Sequence, residues 1–304
     1  MNRKYLTGLT PQAYEHPFDR QALVSLEKIP GVSLFFKKVN EYGIDRLLRF
    51  KFGAICMRVN SRNFPELYQT FSEACKVIDI SPIPELYLMH GTGYIRTLTV
   101  GANNPMIILN MDGMKKLSTE ELLYALGHEL GHIKSKHLLY HQTAMILPGL
   151  GRVIANSTLG IGGLATNGIE FALYQWVMMA KLTSDRAALL ACQNVDVAYR
   201  SLIQLAGLPE EYINPITVEE FIEQARDFGS YNLDSLDKFT KMLSFMEPNH
   251  PWTTLRAAEL LKWIESGEYQ ALLEGNQPQP QVDVVKQLPT SSEEWDFLES
   301  WEAN

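Results

Sequence analysis

Near the middle of the chain, apolar residues recur at the spacing of a helix face. At about 100° per residue, Leu122, Leu126, Leu130 and Ile133 form one stripe, and His128 and His132 project from nearly the opposite side. Ser118 followed by Glu121 is a capping box, and no proline intervenes before Pro148, so the pattern predicts a helix from about Thr119 to Gln142. With chemistry-bearing groups opposite its apolar stripe, this helix is expected to be sandwiched between layers. Gly127 and Gly131 add no side-chain bulk beside the histidines, which lets a second helix or a substrate come close.

The flanking patterns extend the picture. Residues from about Gln21 to Ile80 read as helical, with breaks near Pro30-Gly31 and before Phe64-Pro65. Short β-branched or alternating runs from Glu85 to Met89, Ile95 to Val100 and Met106 to Asn110 predict a small sheet. Glycines after Pro148 predict a loop up to Gly168, and a second long helix is expected from about Ile169 to Ala191. Shorter helices are predicted over Val197 to Ala206, Val218 to Phe228, Leu233 to Phe245 and Trp252 to Ser266. The expected architecture is α+β, mainly helical, with the small sheet next to the histidine helix. Residues 1–80 are expected as an N-terminal helical layer, packed with a core over 81–274 as one domain. Residues 275–304, beginning near QPQPQ and ending acidic, read as a flexible tail.

Composition narrows the class without changing the architecture. At 304 residues, 46% hydrophobic and 20% charged, the chain can bury a substantial core. A net charge of -8 with no basic run among aromatics argues against nucleic acid as a partner. Cys56, Cys75 and Cys192 are odd in number and widely spaced, which indicates neither a disulfide framework nor a zinc ribbon. With no apolar run near the N-terminus, the expected location is the cytoplasm or the cytoplasmic face of a membrane. Residues 159–180 carry Glu170 as their only charge before Ala180. They read as a buried helix preceded by a loop, with peripheral membrane contact as the alternative. Trp295, Leu298 and Trp301 could fold onto a partner's groove, although a solvated tail is the simpler reading.

The chemistry concentrates at His128-Glu129-Leu130-Gly131-His132. HExxH on a helix places two imidazoles on one face, one turn apart, where both can reach one metal ion, with the glutamate beside the metal's water as its base.

With two further elements, this stretch resembles the HtpX-like zinc metallopeptidases, which include the CAAX prenyl protease relatives. LLYALGHELGHIKSKH, from Leu122 to His137, looks like the family's active-site helix. LTSDRAALLA, from Leu182 to Ala191, looks like the helix carrying ExxxD, and Asn249-His250-Pro251 with Arg256 looks like its HP…R element. The resemblance spans roughly Phe18 to Trp263. It implies a zincin-like fold of gluzincin type, one zinc ion per chain on His128 and His132, and peptide hydrolysis with Glu129 as general base. His250 or Arg256 would donate to the oxyanion. The strand around Arg96 and Leu98 would be the edge that holds substrate; Arg96 stands where relatives usually have Asn.

One position departs from the family's ligand set. The family's third ligand is the Glu four residues before its Asp, and here that residue is Lys181. At about 4 kcal/mol for two unit charges 4 Å apart, an ammonium would be repelled by a dication with roughly twice that energy. Asp185, matching the family's Asp, could orient a ligand histidine or supply the missing ligand. His250 could swing in, or Lys181 could pair with Asp185 while water completes the shell. Alternatively no metal binds. The expected activity is a zinc-dependent endopeptidase acting on unfolded or flexible segments. The alternative is a catalytically silent relative that keeps its cleft to bind a peptide or partner.

Overall fold

The structure is a computed structural model that describes residues 3–41, 43–91, 97–156, 163–231, 233–243 and 251–276. Helices α1 (Pro17–Glu27), α2 (Val32–Glu41) and α3 (Ile44–Ile55) lead to a short strand β1 (Met57–Arg58) and to α4 (Pro65–Val77). Strands β2 (Glu85–Met89), β3 (Thr97–Val100) and β4 (Met106–Asn110) follow. Then come α5 (Met111–Lys116), α6 (Thr119–Lys134), α7 (Leu138–Asn156) and the thirty-residue α8 (Gly163–Cys192). The chain continues through α9 (Val195–Leu205), α10 (Glu210–Ile213), α11 (Val218–Gly229), α12 (Leu236–Leu243), α13 (Thr253–Glu265) and α14 (Glu268–Leu273). The α+β architecture is as the periodicities predict.

The four strands lie in the order β1-β2-β4-β3. The β2–β4 pair is parallel and the pairs at either end are antiparallel. Successive side chains in a strand point to opposite faces, and here both faces are buried. Leu86, Leu88, Ile107 and Leu109 enter one core, together with α4, α6, the C-terminal part of α8, α9, α11 and α13. Tyr87, Val100, Met106 and Ile108 enter a second core with α1 to α3, α7 and the N-terminal part of α8. Residues 1–80 therefore contribute to both sides of the sheet. Helix α8 runs about 45 Å and crosses from the second core to the first, leaving a short buried polar stretch, Thr183 to Arg186, between them.

Several boundaries differ from the expectation, and α8, expected from about Ile169, begins at Gly163. The helix predicted to run from Thr119 to Gln142 ends at Lys134, and Lys136 takes a left-handed conformation (φ 57°) before α7 begins. No glycine or proline marks that break in the sequence. The glycines after Pro148 do not start a loop at once, because α7 continues through them to Asn156. The predicted strand from Ile95 is described from Thr97 onward; Arg96 lies outside the described residues, as do His250 and the tail beyond Asn276.

Candidate active site

Helix α6 begins with the capping box expected from the sequence: the Ser118 hydroxyl accepts from the Glu121 amide, and the Glu121 carboxylate accepts from the Ser118 amide. Leu126 and Leu130 are fully buried, Leu122 and Ile133 pack against the same core, and α8 covers another face. The glycines permit that second contact. A Cβ on Gly127 would meet the Ala191 methyl at 2.5 Å, and one on Gly131 would meet the Ala187 methyl at 2.7 Å. Without side chains at 127 and 131, α6 and α8 lie nearly backbone to backbone, so residues around 184 to 191 face the histidine helix directly.

This close approach brings Asp185 to His128. The His128 Nδ1 lies 2.9 Å from Asp185 Oδ1. Arg256, from α13, donates to the same carboxylate through Nε at 2.7 Å and Nη2 at 2.6 Å, and the Tyr124 hydroxyl donates to it at 3.1 Å. Asp185 is 1% exposed. Burial alone would push its carboxyl up, but the Arg256 charge and hydrogen bonds, with His128, outweigh this and hold it well below the usual range. An ionised carboxylate only accepts, so His128 carries its proton on Nδ1 and leaves the Nε2 lone pair free. The Nη1 of Arg256 donates to the Pro251 carbonyl at 3.3 Å. Three of its five N–H groups are thus engaged by Asp185 and Pro251, and Arg256 holds Asp185 in place.

Glu129 is also buried, and both of its oxygens are held from the sheet. Thr97 donates to Oε1 and Thr99 to Oε2. These threonines alternate along β3 with Leu98 and Val100, which turn to the second core. Leu98, expected at the substrate edge, therefore packs inward, and its neighbours make the contacts to the site. Alternation was the available signal: a strand with Leu98 on the core face must present Thr97 and Thr99 to the other side.

Lys181 does not pair with Asp185, whose oxygens are taken by Arg256, His128 and Tyr124; its Nζ donates weakly to Met178 Sδ at 3.7 Å. Burial, with repulsion from Arg256, pushes the amine down to about 8 against the opposing pull of Asp185 and Glu129. Burial likewise holds His132 well below the ordinary histidine value, with the His141, His128, His137 and Lys181 charges adding to it. The rings of His128 and His132 are 5.0 Å apart, as are those of His132 and His141.

Among the described residues, no three His, Cys, Asp or Glu side chains form a ready metal cage. The donor chemistry still fits an ion at two positions. His128 has its Nε2 free by the Asp185 bond, and His132 is a neutral buried imidazole one turn away, the form a metal requires. The third position holds lysine, which with its pKa pushed down to about 8 is still an ammonium near neutral pH and does not replace a carboxylate ligand.

Three comparisons with known proteins bear on this arrangement. The family model described as Peptidase family M48 matches residues 61–264. The Plastoglobule-localized metallopeptidase 48, chloroplastic, of Arabidopsis thaliana is 30% identical over 261 residues, covering 86% of this chain and 74% of that protein. A Protease HtpX homolog of Polynucleobacter necessarius is 22% identical over 228 residues, covering 70% of this chain and 78% of that protein. No solved structure matches.

Proposed function

The chain belongs to peptidase family M48, and on that premise we propose that it is a zinc-dependent endopeptidase cleaving unfolded or flexible protein segments. One observation carries the reading: on α6, two imidazoles one turn apart flank Glu129, which faces edge strand β3. His128 and His132 would hold zinc, which when bound supplies Lewis-acid activation of water and of the scissile carbonyl. Glu129 takes a proton from the attacking water and returns it to the leaving amine. Each of its oxygens accepts one threonine hydroxyl and keeps a second lone-pair direction for that transfer. Asp185 keeps His128 in its productive tautomer, and Arg256 keeps Asp185 ionised and in place. Strand β3, paired on one side with β4, offers its other edge to an extended peptide. His250 is assigned as a donor to the oxyanion and Arg96 to the cleft, from their places in the sequence.

The reading puts the protein in the cytoplasm or on the cytoplasmic face of a membrane, with no nucleic-acid partner; residues 169–180 pack largely into the second core, in keeping with the buried-helix reading of that stretch. Among the described residues, no helix is long and apolar enough to cross a membrane. Lys181 favours a second reading, a silent member that binds peptide in the same cleft without cleaving it.

Zinc content and cleavage of unfolded casein by wild type, Glu129→Gln and Lys181→Glu separate the two. The peptidase reading expects wild-type cleavage that falls by at least about 10²-fold in Glu129→Gln, with zinc content and melting temperature unchanged. Casein bound but uncut by wild type, with cleavage gained in Lys181→Glu, identifies the silent member. Cleavage in neither overturns the peptidase reading.

A further inference from the structure

His137 follows His132 by five residues, which in an uninterrupted helix would set the two side chains about 140° apart. The break after Lys134 reverses that. The His137 amide donates to the His132 carbonyl at 3.0 Å and the Lys136 amide to the Ile133 carbonyl at 3.1 Å. With Lys136 left-handed, this is a Schellman termination that has lysine where glycine is usual. The termination brings the residue two beyond the helix cap against the one three before it, a contact that is commonly apolar. Here it joins two imidazoles: His132 Nδ1 lies 3.1 Å from His137 Nδ1.

Two facing ring nitrogens form a hydrogen bond only when one of them carries the proton. Asp19, on α1, decides which. His137 Nε2 is 3.1 Å from Asp19 Oδ2, which also accepts the Thr183 hydroxyl from α8; the Thr183 oxygen in turn accepts the His16 amide at 3.0 Å. Asp19 is 1% exposed. It faces two donors, His137 Nε2 and the Thr183 hydroxyl, the environment of a buried carboxylate. As a carboxylate it only accepts, so His137 Nε2 donates, and in a neutral ring Nδ1 then accepts. The donor between the rings is His132 Nδ1–H, and the His132 Nε2 is left bare. Trp176 packs edge-on against the His137 ring and fixes its plane.

We propose that Asp19 and His137 are positioning residues that set His132 in the Nδ1-protonated tautomer, with Nε2 presented to the metal. They do for His132, through one intervening imidazole, what Asp185 does directly for His128. Asp19 lies outside the residues matched by the family model. The inference rests on the reading of His128 and His132 as metal ligands, and its test separates the two.

The test uses the full chain with ¹⁵N-labelled histidine, stripped of metal, with ring tautomers read from two-bond ¹H–¹⁵N spectra. Zn²⁺ affinity is measured in parallel by competition with a chromophoric chelator, and melting curves check folding. Wild type is expected to show His132 protonated on Nδ1. His137→Phe, which keeps the ring packing against Trp176, is expected to shift the proton to Nε2 and weaken Zn²⁺ about 10- to 100-fold. Asp19→Asn keeps an acceptor oxygen and should give a smaller loss in the same direction; it also serves if His137→Phe does not fold. A wild-type His132 protonated on Nε2, or Zn²⁺ affinity unchanged in both variants, overturns the relay while leaving the metal reading intact. A wild type that binds no Zn²⁺ overturns the metal reading, and the tautomer spectra of the metal-free chain still decide whether the relay exists.

Discussion

Helices α6 and α8 face each other across the site, and they differ in completeness. Helix α6 presents both imidazoles and the carboxylate of HExxH, each oriented by a partner from elsewhere in the fold. Helix α8 presents Asp185, fixed by Arg256, but carries lysine where the resemblance places a ligand. The difference separates two kinds of site residue. Asp185 forms a buried ion pair that the fold needs irrespective of chemistry, because removing it strands a buried guanidinium. Lys181 has no such ion pair among the described residues; its Nζ meets only Met178 Sδ, so its burial is a cost to the fold.

The largest expected effect tests the first half of that comparison. Asp185→Asn should cost about 3–5 kcal/mol in denaturant unfolding, because Arg256 is left charged and buried. Below the ordinary aspartate range the wild type should lose this advantage. The folded Asp185 binds its proton at lower pH than the unfolded chain does, so its stabilisation is full above the ordinary value of 3.8 and falls away as acid protonates it. A variant as stable as wild type near neutral pH would remove the structural account of Asp185.

Next in size is the contact between the two helices. Gly131→Ala should cost about 1–3 kcal/mol, since the new methyl meets Ala187 and the packed helices must part, outweighing the helix-propensity gain. Its His128–Asp185 bond should loosen in parallel, seen as a changed His128 ring ¹⁵N spectrum. An unchanged melting temperature would mean that the helices separate freely.

The smallest effect concerns Lys181. The folded chain releases this proton near pH 8, against 10.5 for an ordinary lysine. Wild-type stability should therefore rise between those values, and below about pH 8 the cost of burying the ammonium is fully present. Lys181→Met should be more stable than wild type near neutral pH by about 1–2 kcal/mol, a figure reduced because part of the side chain reaches solvent, and the rise should flatten. Urea unfolding across pH checks both; a less stable variant would mean that Lys181 holds a favourable contact.

The sequence was most legible where the physics is local. The capping box, the two paired strands Glu85–Met89 and Met106–Asn110 and the two-glycine approach surface all follow from spacing and side-chain size. The HExxH positions were legible because their spacing is itself the chemistry, and Asp185 through the resemblance of LTSDRAALLA. The rest depends on contacts between distant segments. Lys136 carries no residue-type signal for a left-handed break, so His137 could not be placed on His132 from the pattern, and Asp19 lies 118 residues away from it. Arg256 was read, from its resemblance to the HP…R element, as an alternative to His250 for donating to the oxyanion. Only its burial against Asp185 reveals what engages it.

The grip of Thr97 and Thr99 on Glu129 ties the state of that carboxylate to the registration of one short strand. Were β3 to slide by a single residue along β4, Leu98 and Val100 would turn toward the carboxylate. The glutamate would then sit buried against hydrocarbon without a donor, and its ionised form would be heavily disfavoured. Misalignment of a four-residue strand, too small to alter the fold visibly, would strip Glu129 of both donors. The ladder Thr97↔Leu109 to Val100↔Met106 thus decides which side chains of β3 meet Glu129.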